Sequence, residues 1–145
     1  MADAAPWIVC QIGAREHYVL AEGLHRRGQL GALLTDRWAD PGSLAASLPG
    51  ALGRRLADRC NSALADAPVV HFTAASLTRE LGARLPGAPG GWDKIMADNA
   101  WFEARSVAAL EAGRLLEGPV KPVVFAYSYA ALGILQAAKA ALRSG

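Results

Sequence analysis

Cysteine is scarce, with only Cys10 and Cys60 in 145 residues. They form no CxxC pair and cannot build the multi-bridge framework of small secreted domains, so a reducing, cytoplasmic setting is the expectation. An excess of one charge is also lacking, because 15 Lys and Arg against 13 Asp and Glu leave a formal net charge of +2. That is too little to argue for nucleic acid or an anionic membrane as partner. No apolar run approaches the roughly 20 residues of a membrane span. The apolar stretch between Ala2 and Gly13 follows Asp3 and precedes Arg15, the first basic residue, the reverse of the charge order in a signal peptide. Neither G-x-G-x-x-G nor Gly-Lys-Ser/Thr occurs, which counts against NAD and ATP and against a small nucleotide-dependent Rossmann enzyme. No His, Cys or Asp spacing suggests a structural metal.

What is present is apolar residue: 52% hydrophobic against 19% charged, the composition of a packed domain and not of a disordered chain. The length suits one domain, 1–145, and excludes two. Trp7 to Ile12 is an apolar run ended by Gly13, as in a strand buried on both faces of a parallel sheet. A helix is expected over 16–27, with His25, Arg26 and Arg27 in its last turn and Gly28 as the residue after the cap. A second strand follows over 30–36. Pro-Gly signals at Pro41 and at Leu48-Pro49-Gly50 precede a helix over about 51–64.

The pattern then predicts a strand over 69–73, a helix over 74–85 and a flexible surface loop near 86–91. Asp93 is placed to cap a long helix reaching about 113, with Ile95, Met96, Ala100, Phe102, Val107 and Leu110 on one apolar arc, Asn99 within it and Trp101 opposite. A strand over 122–127 and a helix over about 129–143 complete the chain. Alternating strands and helices predict an α/β, Rossmann-like parallel sheet of about four strands flanked by helices, with right-handed crossovers and no internal repeat.

In such a sheet the ligand crevice lies beyond the carboxyl ends of the strands. After the first strand stand Gly13, Arg15, Glu16 and His17. Gly13 permits a close backbone turn, and a following helix would present free N–H groups to an anion. Arg15 can pair bidentately with phosphate or carboxylate, and Glu16 and His17 add an acceptor and an imidazole. The same residues also read as a charged helix start, with Glu16 favouring the dipole.

After the second strand, Asp36 and Trp38 combine hydrogen-bonding groups with an aromatic plane that suits a sugar or an apolar acceptor, or Trp38 packs down on the domain. After the last strand come Tyr127, Ser128 and Tyr129, with Ser128 placed to cap a helix. Asn99 either reaches the cleft or bonds a neighbouring element. His71 reads as a satisfied core histidine, His25 as a partner of a helix end, and Cys10 as a buried thiol.

Gly13-Ala14-Arg15-Glu16-His17-Tyr18, Leu34-Thr35-Asp36, Asn99-Ala100-Trp101-Phe102 and Val124-Phe125-Ala126-Tyr127-Ser128-Tyr129 together resemble the N-terminal domain of the retaining GT-B glycosyltransferases. The likeness spans nearly the whole chain. It implies two Rossmann-like domains facing across a cleft, the N-terminal one on the acceptor side and the C-terminal one holding a nucleotide sugar. It also implies glycosyl transfer without a bound metal or other cofactor, through an oxocarbenium-like transition state whose departing diphosphate is stabilised. Gly13 matches the family's loop near the donor phosphates, and Arg15 is the local residue suited to their charge.

Where many members carry a histidine at the end of a middle strand this chain has Tyr127, so that residue's role does not carry over. The family's paired glutamates belong to a second domain that is not in this sequence. The expectation is an incomplete acceptor-side domain, inactive alone. A separate donor-binding chain would complete it, or it would self-associate through an open sheet edge. The alternative is a non-catalytic module that holds a carbohydrate or phosphorylated ligand through Arg15, Trp38 and Tyr127.

Overall fold

The structure, a computed structural model, describes residues 4–42 and 49–144. Ala2, Asp3, Leu48 and Gly145, and the side chain of Ser128, lie outside the described residues. Four parallel strands form one sheet in the order β3-β2-β1-β4: β1 (Trp7–Gln11), β2 (Leu30–Thr35), β3 (Val69–His71) and β4 (Val123–Ala126). Among the described residues five α-helices accompany it: α1 (Val19–Arg26), α2 (Gly50–Ala57), α3 (Thr73–Gly82), α4 (Gly91–Ala112) and α5 (Leu132–Ser144). The expected Rossmann-like α/β fold is the observed one.

Strand alternation divides the core into two layers. Ile8, Cys10, Ala32 and Leu34 point to one face and pack with Phe102 and Leu110 of α4 and Ile134 and Ala138 of α5. Val9 and Leu33 point to the other and pack with Tyr18, Ala21 of α1, Trp38 and Leu64. Both faces of the two central strands are covered, which is why they read as unbroken apolar runs. Register pairs Gln11 with Thr35, Cys10 with Ala126 and Thr35 with His71, so the carboxyl ends of all four strands lie along one edge.

Several boundaries differ from the sequence pattern. The helix after β1 starts at Val19 and not at residue 16, because Arg15–Tyr18 forms a separate tight turn. It ends as expected: Gly28, at φ 65°, donates to His25 O at 2.9 Å while Gln29 N reaches Leu24 O at 2.9 Å, a Schellman motif. α2 is shorter than the pattern suggested and is followed by one 3-10 turn over Ser62–Leu64. α4 begins at Gly91 with Gly90 as its cap, so Asp93 sits in the first turn and makes no capping bond.

The buried stripe of α4 is Asn99, Phe102, Ser106 and Leu110, whereas Ile95, Met96 and Ala100 are exposed. Two polar residues therefore take places that a hydrophobicity count assigns to apolar ones. Trp101 is not turned away from the core, since its ring meets Phe72 edge-on at 6.2 Å. Residues 85–90 form an exposed connection in which only Ala88 is half-buried.

Candidate functional site

The sheet order places β1 between β2 and β4, so the chain steps outward from β1 through β2 to β3 on one side and then crosses to β4 on the other. In an open parallel sheet the crevice at such a switch point is where ligands bind. The two segments that flank it are the loop after β1 and the segment after β4. Arg15 comes from the first and Tyr127 from the second, and the Arg15 guanidinium carbon lies 6.0 Å from the centroid of the Tyr127 ring. That distance is within cation–π range, and Arg15 is exposed, so its N–H groups remain open to a ligand. Phe125 supports Tyr127 from behind, edge to face at 5.2 Å.

The loop that carries Arg15 has an unusual backbone. Glu16, His17 and Tyr18 stand at φ 50°, 47° and 64°, three successive non-glycine residues in the left-handed region, after Gly13 at φ 82°. Left-handed backbone costs roughly 1–2 kcal/mol per such residue, so other contacts must hold it. Gln11, fully buried at the end of β1, donates from Nε2 to Gly13 O at 3.1 Å and to Arg15 O at 2.8 Å. From outside, Asn61 Nδ2 donates to His17 O at 2.9 Å. Within the turn, His17 N donates to Ala14 O at 3.1 Å.

At the far end Tyr18 is a buried anchor. Its ring meets Trp38 edge-on at 5.4 Å, and its hydroxyl donates to Arg37 O at 3.2 Å. Burial pushes the Tyr18 phenol above its ordinary range, an effect that outweighs the lowering by the Thr35 hydroxyl and by the Arg59 guanidinium. The expectation of a charged helix start is corrected here: Glu16 and His17 lie outside α1, exposed on the left-handed turn, and lend nothing to the dipole of its first turn.

Asp36 is a clamp. It is 7% exposed, and its Oδ1 accepts the Gly13 N–H at 2.8 Å and Arg59 Nη1 at 2.8 Å. One carboxylate thus ties the loop after β1 to the end of β2, and Arg59, from the segment after α2, neutralises it. Trp38 is 4% exposed and packs down on the domain, the second of its two expected roles. Its backbone N–H donates to Thr73 Oγ1 at 2.9 Å and its indole to Asp40 Oδ1 at 3.0 Å.

Of the expected site residues, Arg15 and Tyr127 meet across the crevice, Gly13, Glu16 and His17 share the loop after β1 with Arg15, and Asp36 is tied to that loop through the Gly13 amide. The backbone of Ser128 opens a 3-10 turn beside Tyr127. Residues that sequence reasoning passed over, Gln11, Arg59 and Asn61, shape the loop. The one local signal for them was a glutamine inside the apolar run Trp7 to Ile12.

No family model matches the chain, and no curated protein or solved structure matches it either.

The other candidates are distributed elsewhere. His71 is exposed and not a core residue, with Nδ1 at 3.0 Å from Thr73 Oγ1. His25 sits 3.0 Å from Asp66, joining the end of α1 to the segment before β3. Asn99 is buried, and its amide nitrogen donates at 2.8 Å to Ile95 O of its own helix and not to a neighbouring element. Cys10 is buried in the core, and burial pushes its thiol up to about 12. Among the described residues no group of three or more His, Cys, Asp or Glu is arranged to hold a metal ion, and no helix is long and apolar enough to cross a membrane.

Proposed function

We propose that this chain is the acceptor-side, Rossmann-like half of a retaining glycosyltransferase, which transfers a sugar from a nucleotide-sugar donor once a donor-binding half completes it. The observation that carries the reading is the Arg15–Tyr127 pair across the β1/β4 switch point. An exposed guanidinium beside an aromatic ring, on a loop whose backbone is held against its own preference, suits a diphosphate. The exposed Glu16 and His17 beside it supply polar contacts for the sugar and acceptor. The resemblance places the family's donor-phosphate loop at Gly13, whose amide is held by Asp36.

The second reading, a non-catalytic module for a phosphorylated or carbohydrate ligand, draws on a different observation. Asp36, the most buried carboxylate beside the crevice, is already engaged by Gly13 and Arg59 and is not free to act as acid or base.

Calorimetric titration with uridine diphosphate tests both. Weak binding is expected, with Arg15→Ala lowering affinity about tenfold, the scale of one charge-assisted contact. Unchanged affinity in Arg15→Ala removes Arg15 from the site. Robust sugar transfer by the purified chain overturns the half-enzyme reading. Specific micromolar binding of a carbohydrate, with no second chain in the same operon or complex, favours the module.

A further inference from the structure

A cavity of about 500 Å³ opens between α2 and α3, away from the β1/β4 crevice. It is within the size range of small-molecule sites. Its wall combines two chemistries: Leu77 and Leu81 of α3, and the side chains of Arg37, Arg55 and Arg84 around Glu80. Arg37 Nη2 lies 2.7 Å from Glu80 Oε2, Arg55 Nη1 lies 3.2 Å from Oε1, and Arg84 Nη2 lies 3.7 Å from Oε1. Three guanidiniums therefore share one carboxylate, which leaves the cluster two positive charges in excess.

The three arginines are not equivalent. Arg37 is the fixed one, 20% exposed, with its Nε donating to Ser76 Oγ at 2.8 Å as well as its Nη2 to Glu80. Arg55 and Arg84 are 64% and 69% exposed and reach Glu80 at longer range. Their guanidiniums can turn to a ligand at small cost, while Arg37 keeps Glu80 neutralised. Burial draws the Glu80 carboxyl upward, but the guanidiniums of Arg37, Arg55 and Arg84 outweigh it and hold the group below its ordinary value. The positive field at the cavity is thus felt by the one anion already there.

We propose that this cavity binds a small organic phosphate monoester with a short aliphatic body, its phosphate on Arg55 and Arg84 and its apolar part against Leu77 and Leu81. The charge match selects the phosphate, since a monoester carries about −1.5 to −2 near neutral pH, close to the unbalanced charge of the cluster, whereas a carboxylate carries half of it. The leucines select an ester over inorganic phosphate. Leu81 is 64% exposed, apolar surface that such a ligand would cover.

Calorimetry with n-hexyl phosphate, inorganic phosphate, hexanoate and hexanol tests this on the intact chain. Hexyl phosphate is expected to bind about tenfold more tightly than inorganic phosphate, the value of one or two buried methylenes, and more tightly than hexanoate, with no binding of hexanol. Arg55→Gln and Arg84→Gln, both at exposed positions, should each weaken hexyl phosphate about fivefold. Leu81→Asn should remove the preference for the ester over inorganic phosphate. Equal affinity for the two phosphates, no binding of either, or unchanged affinity in the two arginine variants overturns the proposal. Loss of hexyl phosphate binding in Arg15→Ala, with the Arg55 and Arg84 variants unaffected, would move the ligand to the crevice and also overturn it.

Discussion

The Gly13 amide donates to Asp36 Oδ1 at 2.8 Å, and the same oxygen receives Arg59 Nη1 at 2.8 Å. This one atom joins the end of β2, the loop after β1 and the segment after α2. Asp36→Ala leaves a backbone donor and a guanidinium that is 22% exposed without their acceptor. A loss of about 3 kcal/mol is expected in urea unfolding. Asp36→Asn retains an oxygen for Gly13 and should cost about half as much. A loss below about 0.5 kcal/mol in Asp36→Ala, the range of ordinary surface changes, would show that the clamp contributes nothing.

The left-handed turn makes a prediction of opposite signs at neighbouring positions. His17→Gly relieves a non-glycine residue at φ 47° while keeping its backbone bonds to Ala14 O and Asn61 Nδ2, and should stabilise by about 1 kcal/mol. Gly13→Ala adds a Cβ that meets nothing within 4 Å, yet forces a side chain onto φ 82°, and should destabilise by about 1 kcal/mol. The two midpoints, measured in the same buffer, should fall on either side of the parent chain.

Acid sensitivity follows from Glu80. Arg37, Arg55 and Arg84 overcome the opposing effect of burial, so its folded pKa lies below the ordinary 4.5. A carboxyl lowered on folding contributes stability that is complete above its ordinary value and is lost as pH falls through the folded one. Urea midpoints should decline below that pH. Glu80→Gln should flatten this limb of the curve, and an unchanged slope would assign the acid sensitivity to other carboxylates.

The two cysteines should differ in chemistry. Burial holds the Cys10 thiol protonated, at about 12, and shields it within the sheet, whereas Cys60 is half-buried. In the native chain at about pH 8 a thiol reagent should modify Cys60 alone, and Cys10 should react only on unfolding. Rapid reaction of both would place Cys10 in a segment that opens locally.

Much of the fold was legible because its signals are local. Trp7 to Ile12 and Leu30 to Thr35 are apolar on both strand faces, which is the demand of a central parallel strand, and Gly28 marks the end of α1. The left-handed turn was hidden because Glu16, His17 and Tyr18 are all compatible with a helix. What turns them is the reach of Gln11 and Asn61, the latter supplied from far along the chain.

The face of α4 was misread for a similar reason. Asn99 meets its own hydrogen-bonding need by donating back to Ile95 O, and so can be buried where a count of apolar residues places Ile95 or Met96. Arg15 and Tyr127 were legible as residues after strands, but their meeting depends on β4 pairing with β1, which only the sheet order reveals.

That pairing also orders events in time. Trp7 to Cys10 align with Val123 to Ala126, near opposite ends of the sequence, while β2 and β3 are made much earlier. During synthesis β1 can join β2 and β3 soon after residue 71 is in place, but its other edge stays open until β4 arrives, a delay of several seconds at roughly 5–20 residues per second. For that interval Ile8, Val9 and Cys10 offer an unpaired apolar strand edge to any neighbouring chain. The step that assembles the crevice is therefore also the one that ends the nascent chain's exposure to aggregation, and slow translation of the codons for residues 72–126 should lower the yield of soluble protein.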